Sequence, residues 1–283
     1  MEVLEKYGHG GDLVTAGKRF GISPEDFLDY SANINPLGPP RRVLEQLRQQ
    51  LGQVVRYPDP AHRAFRRALA ARLQLPQDWL LPANGAAEAM ALAILALKPR
   101  IVGLAYPCFS EYGQLARQFG ASVTGVYGRE ADGYKPQSAE MYQLFQQADL
   151  VFVGSPNNPT GICYTPEELT QMAEWTEQTD TWLVVDEAFL DFVPEERQFS
   201  LAGKLSAHPR VILIRSMTKM YAIPGLRLGY AIAVPETISR MRAKQVSWSV
   251  NALALLAGEL CLEEREYERR TRELISEERR FLA

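Results

Sequence analysis

The sequence predicts an α/β fold: a mostly parallel sheet with helices packed on it. Three observations carry this. Between Ile101 and Val185 short apolar runs alternate with stretches of helical pattern, the order that produces crossover units and a parallel sheet. The apolar runs, such as Leu150–Gly154 and Trp182–Val185, lack the polar alternation of a half-exposed strand, so each is expected to be buried on both faces. Polar residues gather directly after these runs, where ligands bind in sheets of this kind, outside the carboxyl ends of the strands.

The 283 residues suffice for one large core, and 46% hydrophobic with 23% charged content is ordinary for a globular chain. A net charge of -3 gives no attraction for nucleic acid or an anionic membrane. Cys108, Cys163 and Cys261 are scattered and odd in number, which points to a reducing compartment rather than a disulfide framework. His9, His62 and His208 are far apart and no CxxC pair occurs, so no metal site is signalled. The first residues lack the apolar core of a signal peptide. The longest apolar stretch, Ala89–Leu97, is about half a membrane span. A cytoplasmic protein is expected.

Taken in order, the chain opens on Tyr7-Gly8-His9-Gly10-Gly11. Glycines allow close backbone approach to a ligand and His9 can donate to an anion; spacing alone equally describes a terminal turn. Asp12 is an N-cap for a short helix to Phe20. Ser31-Ala32-Asn33-Ile34-Asn35-Pro36-Leu37-Gly38 is irregular and punctuated by proline; Asn33 either meets a ligand or holds a turn. Helices follow from Pro40 to about Leu51 and over Ala61–Leu73, with Arg56-Tyr57-Pro58-Asp59-Pro60 as the loop between them. Asn84-Gly85 leads into a helix over Ala86–Leu97, whose free N–H groups can bind phosphate or simply be capped. Strands are expected at Ile101–Ala105, Ser122–Val126, Leu150–Gly154, Trp182–Val185, Val211–Ile214 and Leu228–Val234. Helices are expected at Ser110–Phe119, Glu140–Gln147 and Pro166–Gln178. From Pro235 the pattern is helical, broken over Gln245–Asn251, and it ends in a charged amphipathic helix. Leu260, Tyr267, Leu274 and Phe281 give that helix a seven-residue apolar seam.

Four strand ends carry the chemistry. They are Tyr106-Pro107-Cys108-Phe109, Ser155-Pro156-Asn157-Asn158-Pro159-Thr160-Gly161, Asp186-Glu187-Ala188-Phe189, and Ser216-Met217-Thr218-Lys219 with Arg227 beyond it. An amine at Lys219 can form an imine with an aldehyde. Hydroxyls at Ser216 and Thr218 and the Arg227 guanidinium suit a phosphate monoester. Together they describe a socket for pyridoxal phosphate, although the lysine loop by itself equally describes a surface turn.

In the order and spacing of these motifs the chain resembles the fold-type I pyridoxal-phosphate enzymes (class II aminotransferase-like), in the branch of histidinol-phosphate aminotransferase and threonine-phosphate decarboxylase. The resemblance implies an aspartate-aminotransferase-like large domain over residues 41–250. It also implies an amino-terminal arm and substrate segment over 1–40, and the start of a small carboxy-terminal domain at 251–283. Residue by residue, it implies that Lys219 carries pyridoxal 5'-phosphate as an imine and that Asp186 pairs with the pyridine nitrogen. Asn158 would contact the phenolic oxygen, and Phe109 would stack on the ring. Gly85, Ala86, Ser216, Thr218 and Arg227 would hold the phosphate. Tyr57 would reach a phosphate across a homodimer interface.

His9-Gly10-Gly11 with Ser31–Gly38, and Phe189 where aminotransferases of the branch usually have tyrosine, resemble the threonine-phosphate decarboxylase family of cobalamin biosynthesis. That implies a small phosphorylated amino-acid substrate met by His9, Gly10, Asn33 and Asn158, and no nucleic-acid or membrane partner. Relatives continue past position 283 through the arginines that bind the substrate carboxylate, so an incomplete small domain is expected. A histidinol-phosphate aminotransferase and a truncated protein that binds the cofactor without turning over substrate are the alternatives.

Overall fold

The computed structural model of the chain describes residues 10–282, so His9 lies outside the described residues. The chain divides into two compact units, Met1–Ile34 and Asn35–Ala283. In the first unit, helix α1 (Leu13–Phe20) begins where the Asp12 carboxylate accepts the Thr15 N–H at 3.0 Å, and ends on Gly21 in the left-handed region. Gly10 packs so closely on the carbonyl of Ser31 that a Cβ there would sit 1.9 Å from the oxygen, and the Gly11 N–H donates to Ser31 Oγ at 2.8 Å.

The second unit carries the sheet. Its elements are α2 (Arg41–Gln49), α3 (Arg63–Leu73), β1 (Leu80–Ala83), α4 (Ala86–Leu97), β2 (Ile101–Tyr106), α5 (Ser110–Gln118), β3 (Ser122–Tyr127), α6 (Ser138–Gln147), β4 (Leu150–Gly154), α7 (Pro166–Thr179), β5 (Trp182–Asp186), β6 (Val211–Ser216), β7 (Gly229–Ile232), α8 (Pro235–Arg242), α9 (Ala252–Cys261) and α10 (Arg265–Leu282). The strand order is β1-β7-β6-β5-β4-β2-β3. Strands β2 to β6 are parallel; β7 runs antiparallel between β6 and β1. The short return from β6 to β7 holds no helix long enough for a crossover, so the chain turns back and the Met217 N–H closes on the Leu228 carbonyl at 3.1 Å.

Both faces of the sheet are covered, as the apolar strands require. Leu183 and Val185 of β5 face one core layer, which α3, α6, α7 and α9 cover; Val184 faces the other, under α4, α5 and α8. Helix α9 packs on α2 and α3 in the same core as the sheet. Helix α7 starts with Pro166 and a reciprocal cap: Thr165 Oγ1 accepts the Glu168 N–H, and the Glu168 carboxylate accepts the Thr165 N–H.

Three features differ from expectation. Strand β1, four residues containing Pro82, has too little pattern to read from sequence, and as an edge strand it tolerates the proline. Helix α3 starts two residues late because the Asp59 carboxylate takes the N–H groups of Ala61 and Arg63. The seven-residue seam is buried only in part: Leu260, in α9, and Tyr267 pack half-buried on the core while Phe281 is 84% exposed, and the fully buried side chains of α10 are Glu268 and Thr271. Among the described residues no helix is long and apolar enough to cross a membrane.

Candidate active site

The sheet reverses direction of growth between β2 and β4, which neighbour each other while β3 lies outside β2. Such a switch point opens a crevice at the carboxyl ends of its strands. Phe109 lies just beyond the end of β2, and Asn157 and Asn158 just beyond β4. Asp186 is the last residue of β5 and lies in register with Gly154 and Ile214. Ser216 ends β6 and pairs with Gly229. The structure therefore brings four of the polar strand ends to one edge of the sheet.

Asp186 is buried. Its Oδ2 accepts the Tyr112 hydroxyl at 2.7 Å and its Oδ1 accepts the Ala188 N–H at 3.0 Å. Loss of water pushes its pKa from the ordinary 3.8 up to about 6; those two hydrogen bonds oppose the rise and the neighbouring Glu187 adds to it. Tyr112 itself stacks on Phe152 at 5.0 Å and meets Phe109 edge-on at 5.6 Å. Phe109 is thus held, half-buried, against the tyrosine that bonds the carboxylate. Tyr112 is a site residue that the sequence did not disclose; in a helical run it reads as a core aromatic.

Lys219 is partly buried. Burial lowers the pKa of its amine, and the Arg227 charge lowers it further against Glu111 and Asp186. Three residues and one residue before it, the hydroxyls of Ser216 and Thr218 lie 2.8 Å apart and both are buried. Opposite Ser216, a Cβ on Gly229 would meet the Ala86 nitrogen at 2.6 Å. The start of α4 therefore abuts the end of β6. Gly85 caps α4 with φ 83° and no side-chain cap, and a Cβ there would lie 2.5 Å from Nη2 of Arg227. Hydroxyls, a helix amino end and a guanidinium thus surround one small volume, a favourable setting for a phosphate. The adjoining amine and buried carboxylate extend the fit to an aldehyde with a basic ring nitrogen, the donor set that pyridoxal phosphate requires.

Asn158 is half-buried in the loop after β4. The loop's shape is held by its neighbour Asn157, whose amide donates to the Pro107 carbonyl at 2.9 Å and to Thr160 Oγ1 at 2.7 Å. Tyr57 stands apart from these groups: it is 81% exposed and packs against Trp248, ring centroids 4.7 Å apart and planes tilted by 35°. Gly10 and Asn33 belong to the amino-terminal unit, where the glycine pair and Ser31–Ala32 are in contact.

Comparison with known proteins follows the same lines. The family model for aminotransferase class I and II matches residues 25–283. The chain is 41% identical over 271 residues to threonine-phosphate decarboxylase of Salmonella typhimurium, covering 95% of this chain and 74% of that protein. It is 34% identical over 282 residues to histidinol-phosphate aminotransferase of Symbiobacterium thermophilum, covering 99% and 76%. Among solved structures, histidinol-phosphate aminotransferase from Clostridium acetobutylicum superposes with a TM-score of 0.82 at 30% identity, covering 90% of this chain and 76% of that one.

Proposed function

The chain belongs to the aminotransferase class I and II family and is a pyridoxal-phosphate-dependent enzyme, and from that premise we propose that it decarboxylates L-threonine O-3-phosphate to (R)-1-aminopropan-2-yl phosphate. The setting would be cobalamin biosynthesis in the cytoplasm. The observation that carries the reading is the seating of Gly10 and Gly11 on Ser31 and Ala32. These are the two motifs in which the chain resembles the decarboxylases, and the decarboxylase of Salmonella typhimurium is 41% identical.

Bound pyridoxal phosphate supplies an electron sink for the charge left at the substrate Cα. Ser216, Thr218, the Ala86 N–H and Arg227 would hold its phosphate, with Gly85 leaving room for the guanidinium. Asp186 would keep the proton on the ring nitrogen; Tyr112 and the Ala188 N–H fix the plane of that carboxylate. Phe109 would stack on the ring and exclude water, which strengthens each charged contact. Asn158 would contact the phenolic oxygen and the substrate. The lowered pKa of Lys219 keeps more of its amine neutral and nucleophilic at neutral pH.

Specificity would lie in which bond at the substrate Cα the chain's own residues present to the electron sink. His9, Gly10 and Asn33 would hold the substrate phosphate and so set which Cα substituent is exposed to the electron sink; in the decarboxylase reading that substituent is the carboxylate. Displaced by the substrate amine, Lys219 would hold the proton that returns to Cα in place of the lost carbon dioxide, and the amine it then recovers as neutral would displace the product. Phe189, in contact with Phe192 at 6.1 Å, has no hydroxyl to offer where aminotransferases of the branch usually carry tyrosine. The loaded protein with phosphothreonine is expected to release carbon dioxide without consuming a keto acid. Glutamate formed from histidinol phosphate and 2-oxoglutarate, or pyridoxamine phosphate accumulating with phosphothreonine, would establish the aminotransferase instead. Cofactor binding without either product would establish an inactive binding protein.

Tyr57 is read as reaching the cofactor phosphate of a second copy. Exposed Leu51, Val54, Val55 and Val246 flank the Tyr57–Trp248 pair in sequence, as a homodimer interface requires. Tyr57→Phe is expected to weaken cofactor retention by about 1.5–3 kcal/mol, one hydrogen bond to a charged group. Equilibrium dialysis checks this; an unchanged affinity would turn the tyrosine away from the site.

A further inference from the structure

The buried side of α10 carries polar groups where a packed helix normally carries apolar ones. Glu268 is 2% and Thr271 0% exposed, three residues apart and hence on one face. Placing a carboxylate there is costly unless it is paired; Glu268 ends on the lysine loop, and Thr271 reaches it through Asn35. Glu268 Oε1 accepts the Tyr221 hydroxyl at 2.5 Å, while Oε2 accepts from Arg72 Nη2 at 2.7 Å. Thr271 Oγ1 accepts from Asn35 Nδ2 at 2.7 Å. The same Asn35 nitrogen donates to the Met220 carbonyl at 2.8 Å, and the Asn35 N–H reaches the Lys219 carbonyl at 3.3 Å. Residues 219, 220 and 221 are therefore each held from outside the loop.

The loop needs such anchors. Ala222 has φ 49°, a left-handed conformation that costs a non-glycine residue about 1–3 kcal/mol and persists only where the surroundings over-determine it. The Lys219 carbonyl's bond from within the loop, from the Ala222 N–H, is 3.3 Å long.

We propose that Glu268 and Thr271, acting through Tyr221 and Asn35, are positioning residues that hold the Lys219 amine at the carboxyl ends of β5 and β6. This rests on the reading of Lys219 as the cofactor-bearing lysine. Slackening either anchor leaves the phosphate cradle in place and lets the amine wander from its low-pKa surroundings toward water.

The test uses Glu268→Gln, Tyr221→Phe, Thr271→Val and Thr271→Ser in the full chain, with two readouts. One is the pH midpoint of the visible absorption of the cofactor–lysine imine in the loaded protein. The other is the rate of amine-specific labelling of Lys219 relative to Lys244 in the cofactor-free protein, read by peptide mass. Expected are a midpoint shift of half a pH unit or more, about threefold in proton affinity, and a several-fold change in relative labelling. Thr271→Ser should restore wild-type values where Thr271→Val does not. Unchanged midpoint and labelling in Tyr221→Phe and Thr271→Val, with only the melting temperature lowered, would overturn the proposal. Tyr221→Phe, which removes one oxygen, decides the matter if Glu268→Gln does not fold. A visible band that survives Lys219→Ala would instead overturn the assignment of Lys219, and the labelling arm would still decide whether the loop is held.

Discussion

Lys219→Ala is expected to remove the visible imine absorption and to reduce turnover by on the order of 10^4-fold, the upper range for loss of a positioned acid–base group. Affinity for the cofactor should fall far less, because Ser216, Thr218, the amino end of α4 and Arg227 lie outside the change. Their arrangement does not depend on the lysine side chain: the Ser216–Thr218 contact is 2.8 Å, and Arg227 is set by its approach to Gly85. Absorption spectra and dialysis on the variant separate the two effects. Retained turnover would remove Lys219 from the chemistry.

Asp186→Asn is expected to move stability and function in opposite directions. The carboxyl has its pKa raised from 3.8 to about 6 by burial, so folding without cofactor takes up a proton between those values. The sign follows: the penalty is absent below about pH 3.8, grows as pH rises toward 6, and is complete above it. Two pK units correspond to about 3 kcal/mol. The amide carries no charge and its oxygen can keep the Ala188 N–H; its NH2 takes the place of Oδ2, so the Tyr112 hydroxyl must turn to accept, which offsets part of the gain. The cofactor-free variant should therefore be more stable than wild type at pH 7, by up to about 3 kcal/mol, and the gain should vanish near pH 4. With cofactor the order reverses, since the amide offers no countercharge to a protonated ring nitrogen, and retention should weaken by about 1.5–3 kcal/mol. Denaturant melts at two pH values, with and without cofactor, check both halves. Equal stability at pH 7 would mean that Asp186 is already neutral in the cofactor-free fold.

Much of this site was legible because its residues terminate strands. Asp186 and Ser216 follow apolar runs that had to be buried on both faces, and Lys219 falls in the loop that returns to another such run. The groups that adjust the site were not legible, because their partners lie far along the chain. Tyr112 is 74 positions from Asp186, and Asn35 is 185 from Met220. Glu268 and Thr271 sit in a densely charged helix where a carboxylate every few residues reads as a solvated surface. Their burial is a property of packing against the lysine loop, not of local pattern. The antiparallel β7 was hidden for a related reason: an apolar run shows burial but carries no direction.

The most direct test of the account is to load the protein with pyridoxal phosphate, reduce it with borohydride and map the modified peptide. Reduction should fix the pyridoxyl group on Lys219, between Thr218 and Met220. A label on Lys204 or Lys244, or no lysine labelled, would contradict the site described here.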